Sequence, residues 1–176
     1  MNFMKIIFLD VDGVLNSLDY YKRQMGKTGS YKRKRYLKSR KKLSYEDRKA
    51  LEIDKRAVRN LNNIVKHSCA KVVISSAWRI FGEDNMRKYL NERGFKGEII
   101  GMTTTEQLGE RGDQIQKWLD DNSNLDIENF IIIDDSCDMA HLGYKLVRTF
   151  SYRGLTKEKA IDAMGMLDYN YIKEVK

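Results

Sequence analysis

The stretch Phe3-Met4-Lys5-Ile6-Ile7-Phe8-Leu9-Asp10-Val11-Asp12-Gly13-Val14-Leu15 decides the fold. Its first seven residues carry a single charge and are rich in isoleucine and phenylalanine, so they read as a strand buried on both faces that stops at Asp10. Two other runs share the design. Residues 71–74 (KVVI) stop at Ser75-Ser76, and residues 130–133 (FIII) stop at Asp134-Asp135. Residues 98–100 and 145–147 give shorter strand signals.

Helical patterns fill the spaces between. In 54–67 the spacing sets Val58, Leu61, Ile64 and Val65 on one face, with Asp54 able to cap the start. Residues 84–93 form an amphipathic stretch stopped by Gly94, which suits a helix C-terminus. Residues 113–121 carry Ile115, Trp118 and Leu119, and 156–167 run from Thr156 through Ala160, Ile161, Ala163, Met164 and Leu167. Apolar strands alternating with amphipathic helices predict an α/β fold, a Rossmann-like parallel sheet with helices on both faces. A length of 176 residues suits one domain. The segment at about 17–50 breaks the alternation, with Gly26, Gly29 and Ser30 near its middle. It reads as a small basic cap inserted after the first strand, partly helical and partly mobile.

Composition narrows the class. Hydrophobic residues make up 41% of the chain, which indicates a globular protein. The apolar runs are too short to span a bilayer, and the first residues lead directly into a charged motif rather than a signal peptide. Cys69 and Cys137 offer neither a disulfide framework nor metal-ligand spacing, which fits reduced thiols in a cytoplasmic protein. Cys137 reads as a small packing residue, and His67 and His141 as structural.

The net charge of +8 has one source. Eleven of the 33 basic residues fall within 20–42, where there is no Asp or Glu, leaving 22 against 25 acidic residues elsewhere. Tyr20, Tyr21, Tyr31, Tyr36 and Tyr45 lie among or beside these cations. Lysines and arginines such as Lys32, Arg33, Lys34 and Arg35 can neutralise phosphates while tyrosines stack on bases, the pattern expected for single-stranded nucleic acid. The same segment also reads as a solvated loop, or as a lid steering a small anion. Gly26-Lys27-Thr28 is not a P-loop end, because Tyr21 stands where the first glycine belongs and no strand precedes it.

In a parallel sheet the carboxyl ends of the strands line one crevice. Asp10, Asp134 and Asp135 would meet there and repel one another, and a divalent cation relieves that. Hard oxygen ligands of this kind suit Mg²⁺, which pairs few carboxylates with a substrate phosphate. Asp10 can then act as a nucleophile toward phosphorus, and Asp12 can protonate the leaving oxygen and later deprotonate water. Gly13 permits a sharp exit from the strand, and Ser75 or Ser76 can hold a phosphate oxygen. Arg111 is the cation placed to face the phosphate, with Lys88, Lys96 and Lys117 as alternatives.

The segment Ile6 to Leu15 resembles motif I of the haloacid dehalogenase-like (HAD) superfamily. Val72-Val73-Ile74-Ser75 is similar to its motif II, and Ile131-Ile132-Ile133-Asp134-Asp135 to its motif IV. The resemblance implies a Mg²⁺-dependent phosphatase with Asp10 as nucleophile and Asp12 as acid/base. It also implies a metal held by Asp10, the Asp12 carbonyl and a motif IV acid. A finer likeness is to HAD domains of RNA-repair and phage-like proteins, with polynucleotide 3′-phosphatase domains as relatives. It rests on DVDGVLN at 10–16, SSAWR at 75–79, RGDQIQKWL at 111–119 and DDSCDM at 134–139, and adds Arg79 and Asp138 to the site. The expected substrate is a nucleotidic phosphate such as the 3′-terminal phosphate of RNA or DNA. Competing readings are a small-molecule phosphatase and a nucleic-acid-binding module without turnover. A nuclease or topoisomerase-type acidic site is disfavoured, because its DxD pair comes later in the chain.

Overall fold

Strand β1 (Met4–Leu9) lies at the centre of a five-stranded, all-parallel sheet in the computed structural model, which describes residues 3–25, 49–104, 106 and 109–168. It is flanked by β2 (Lys71–Ile74) and then β3 (Ile99–Met102) on one side, and by β4 (Ile127–Asp134) and then β5 (Leu146–Arg148) on the other. The chain fills one half of the sheet, then crosses β1 to fill the second half. That reversal opens a crevice at the carboxyl end of β1. Register fixes what the crevice contains: Leu9 pairs with Ile74 on one side and Ile133 on the other. Asp10, Ser75 and Asp134 therefore leave the sheet at one level.

Alternation along the strands divides the core. Ile7, Leu9, Val72, Ile74, Ile131 and Ile133 pack under α2 (Lys55–Ser68), α3 (Glu83–Glu92) and α5 (Lys157–Asp168). Ile6, Phe8, Val73 and Ile132 pack under α4 (Arg111–Asp121) and the 3₁₀ segment Ala140–Lys145. Phe8 is fully buried and meets the Trp118 and Phe130 rings edge-on at 5.4 and 5.7 Å. Each such side chain contributes about 1.5–3 kcal/mol by burial.

The expected caps form. Asp54 accepts from the Arg56 amide at 2.9 Å at the start of α2, and Thr156 Oγ1 accepts from the Lys159 amide at 3.3 Å before α5. Strand β4 begins three residues before the FIII run, because the alternating Ile127-Glu128-Asn129 extends it. Among the described residues the inserted segment opens with helix α1 (Leu18–Met25), whose first turn is capped by Ser17 Oγ accepting from the Tyr20 amide. Residues 26–48 of that segment, with Lys32, Arg33, Lys34 and Arg35, lie outside the described residues. Cys137, expected to pack, is instead exposed: it stands on the outside of the turn after β4, where Met139 takes the buried place. Among the described residues no helix is long and apolar enough to cross a membrane.

Candidate active site

The turn after β1 is tied off by its own backbone, with the amides of Val14, Leu15 and Asn16 all donating to the Val11 carbonyl at 2.8–3.2 Å. Gly13 sits at φ +73°, and a Cβ there would lie 2.2 Å from Asp135 Oδ2. Glycine is therefore required both by backbone conformation and by the approach of the second acidic strand end. Thr149 Oγ1 donates to the Gly13 carbonyl at 2.9 Å and locks the turn from the β5 side.

Asp12 points out of the turn and is exposed. One of its oxygens accepts from Asn16 Nδ2 at 2.7 Å and the other from the Trp78 indole at 3.0 Å. Asn16 Oδ1 in turn accepts from the Gly13 amide. Trp78 belongs to the 3₁₀ turn Ala77–Phe81 that follows β2, and it packs edge-on against Phe81 and Tyr89. Two neutral donors thus fix the direction of Asp12 without adding charge.

Arg111 opens α4. Its neighbour Gly112 touches the loop after β4 so closely that a Cβ would fall 2.0 Å from the Met139 carbonyl, and its amide donates to the Asp138 carbonyl at 3.1 Å. That contact delivers Arg111 into the crevice. Its Nη1 donates to the Ser75 carbonyl at 3.0 Å and lies 3.0 Å from Asp10 Oδ1 and 2.9 Å from Asp134 Oδ2. Burial works against its charge, but Asp10 and Asp134 raise its pKa on balance.

The carboxylates are the strained part of the arrangement. Asp134 is fully buried, and its pKa is pushed up to about 7, first by burial and then by the charge of Asp10. Asp135 is raised by the same two causes. Asp134 Oδ1 accepts from the Ser136 amide, whereas Oδ2 has no aligned donor although Arg111 Nη1 is close. Asp10, Asp134 and Asp135 each offer an oxygen within 4.8 Å of the other two. Three hard oxygens converging on one point, one of them buried and unsatisfied, fit Mg²⁺ or a similar divalent cation. Such an ion would keep Asp134 ionised.

Ser75 and Ser76 part company. Ser76 Oγ accepts from the Trp78 amide and caps the 3₁₀ turn, while Ser75 Oγ is buried with no partner. Only Ser75 has an uncommitted hydroxyl. Arg79 reaches the carbonyls of both serines and Gln114 Oε1, and its pKa is lowered by burial and then by Arg111. It braces the crevice wall. Asp138 Oδ1 is also buried without a partner beside this group. Of the alternatives to Arg111, Lys88 lies 4.0 Å from Glu92, Lys117 pairs with Asp121, and Lys96 is exposed in the loop after α3. His67 and His141 are exposed and bonded to Asp168 and Gln116.

Three contributors escape a reading of the sequence: Asn16, the Trp78 N–H and Thr149. Asn16 leaves a trace, as the polar residue four positions after Asp12 in an otherwise apolar turn. Trp78 and Thr149 act across separations of 66 and 136 residues, and nothing in the sequence, SSAWR included, points either of them at the β1 turn.

The family model for the HAD domain in Swiss Army Knife RNA repair proteins matches residues 6–160. No curated protein and no solved structure matches the chain.

Proposed function

The chain belongs to the family of HAD domains in Swiss Army Knife RNA repair proteins, and we propose that it is a Mg²⁺-dependent phosphohydrolase acting on a nucleic-acid terminal phosphate. The observation that carries this reading is the meeting of Asp10, Asp134 and Asp135 within 4.8 Å at the carboxyl end of the central strand.

Asp10 attacks phosphorus, forming an Oδ–P bond as the bond to the leaving oxygen breaks. Asp12, aimed by Asn16 and Trp78, gives its proton to that oxygen. Water then attacks the aspartyl-phosphate, Asp12 takes its proton, and cleavage of the acyl-phosphate P–O bond restores the Asp10 carboxylate. Ser75 Oγ and Arg111 stabilise the phosphoryl oxygens, where most of the catalytic energy lies. Asp10, the Asp12 carbonyl and Asp134 or Asp135 would hold a Mg²⁺ ion, which when bound would supply further charge stabilisation. The substrate class is supported by the family and by the cations within 20–42, which would act in a cap over the crevice.

The test is phosphate release from a 3′-phosphorylated oligonucleotide and from an aryl phosphate, with Mg²⁺ or with chelator. The wild type should release phosphate from both only with Mg²⁺, and Asp10→Asn should lose at least about 1000-fold of that rate. Release from the aryl phosphate alone would keep the chemistry and discard the polymer. No release from either would sink the proposal.

A further inference from the structure

One loop beside the candidate site displays aromatic rings where burial would be expected. Residues 149–155 are pinned to the site at both ends. Thr149 N donates to the Asp134 carbonyl at 2.8 Å, Thr149 Oγ1 to the Gly13 carbonyl, and Leu155 N to the Val14 carbonyl at 2.8 Å. Between these anchors the amides of Arg153 and Gly154 both donate to the Phe150 carbonyl at 2.8 Å, closing a tight turn. The first turn of α1 is bonded to the same loop, Leu18 N to the Ser151 carbonyl and Asp19 N to the Tyr152 carbonyl, each at 3.0 Å. The backbone is therefore committed, yet Phe150 is 64% exposed, and Tyr152 and Leu18 stand exposed with it. A ring held in water by a fixed loop forgoes its burial energy, and the arrangement fits a surface completed by something else.

The charge around the rings indicates what completes it. Lys22 Nζ lies 4.9 Å from the centroid of Tyr152, and Arg148 and Arg153 are exposed at either end of the turn. Tyr152 and Arg153 also line a groove of about 420 Å³ with Asp19, Arg23, Asp54 and Arg56. Arg23 is ion-paired to both of those acids, at 3.6 and 2.6 Å, so three cations face two carboxylates. Rigid aromatic faces next to cations are the means by which proteins hold unpaired bases and the phosphates between them.

We propose that Phe150 and Tyr152 form a stacking platform for the terminal unpaired base of a single-stranded nucleic acid whose end phosphate lies at Asp10. This rests on the nucleic-acid reading above and gives it a location within the described residues. Because the loop is anchored through Gly13 and Asp134, a base stacked there is held in fixed relation to the reacting phosphate. Arg148, Arg153 and Lys22 would take the neighbouring backbone phosphates.

The experiment measures equilibrium binding of a 3′-phosphorylated, dye-labelled single strand, and of the same strand abasic at its last nucleotide. Wild type, Phe150→Ala and Tyr152→Ala are compared, with thermal melts to confirm folding. Turnover of an aryl phosphate and of the strand is followed in parallel. Phe150→Ala should weaken binding of the intact strand roughly 5- to 100-fold, from the usual worth of one stacked base. It should leave the abasic strand and aryl phosphate turnover unchanged. Equal weakening of both strands, no weakening, or no binding by the wild type would overturn the platform. Binding that depends on Phe150, without release of the 3′-phosphate, would uphold the platform and remove the terminal-phosphate reading instead. A self-association of the wild type lost in Phe150→Ala would assign the patch to a second copy and overturn the proposal.

Discussion

Asp12 and Asp134 stand in one crevice and are held in opposite ways. Asp12 is exposed, and both its oxygens accept from neutral donors, Asn16 Nδ2 and the Trp78 indole. Asp134 is fully buried, has one oxygen without an aligned donor, and faces Arg111, which it shares with Asp10. On the proposed mechanism, the group that moves protons is aimed but left in water. The group that would hold the cation is desolvated and crowded, so that it favours whatever positive charge arrives.

Four measurements can break or sharpen this contrast. The largest effect concerns pH in the presence of chelator. Asp134 titrates near 7 in the folded chain against about 3.9 unfolded, so between these values the folded state holds a proton that the unfolded state has released. Stability should therefore fall as pH rises from about 4 to about 7, by up to about 4 kcal/mol, and level off above. Denaturant melts at pH 5 and pH 8 should show the fall, and Asp134→Asn should flatten it. A flat profile in the wild type would mean that Asp134 is not strained. Next is Arg111→Met, which leaves Asp10 and Asp134 facing each other. At pH 8 with chelator it should cost about 3 kcal/mol, or about 6–12 °C in Tm, with part of the loss restored by Mg²⁺.

The Asp12 side should respond more mildly. Trp78→Phe keeps an aromatic ring but removes the N–H donor and some packing, so kcat on an aryl phosphate should drop by about five- to tenfold and Tm by a few degrees, while Mg²⁺ affinity holds. A loss of Mg²⁺ affinity in Trp78→Phe would merge the two halves of the comparison. Smallest is Ser76→Ala, which removes the cap of the turn carrying Trp78 and should lower stability by about 1 kcal/mol, read as 2–4 °C.

The same contrast explains how much could be read from the sequence. Strands β1, β2 and β4 are visible as apolar runs because both their faces are buried, and each ends at a group with few structural reasons to be there. Asp10, Ser75 and Asp134 follow from that, and register then brings them to one level, whereas Arg111 is delivered from α4 by the Gly112 contact. The supports of Asp12 are less visible: tryptophan and threonine are ordinary packing residues, and only the fold turns the Trp78 N–H and the Thr149 hydroxyl toward the β1 turn. The 3₁₀ segments Ala77–Phe81 and Ala140–Lys145 are too short to have a period. Cys137 was expected inside because cysteine usually packs, but the tight turn after β4 buries Met139 and leaves Cys137 facing out.

The central position of β1 has a consequence in time. Asp10 leaves the ribosome 124 residues ahead of its partner Asp134, an interval of order ten seconds at usual synthesis rates. Until then β1 can pair with β2 on one edge only, and its other edge stays open to any strand that passes. Assembly of the crevice thus waits for β4, and variants that slow its docking should reduce the yield of soluble protein before they alter the finished fold.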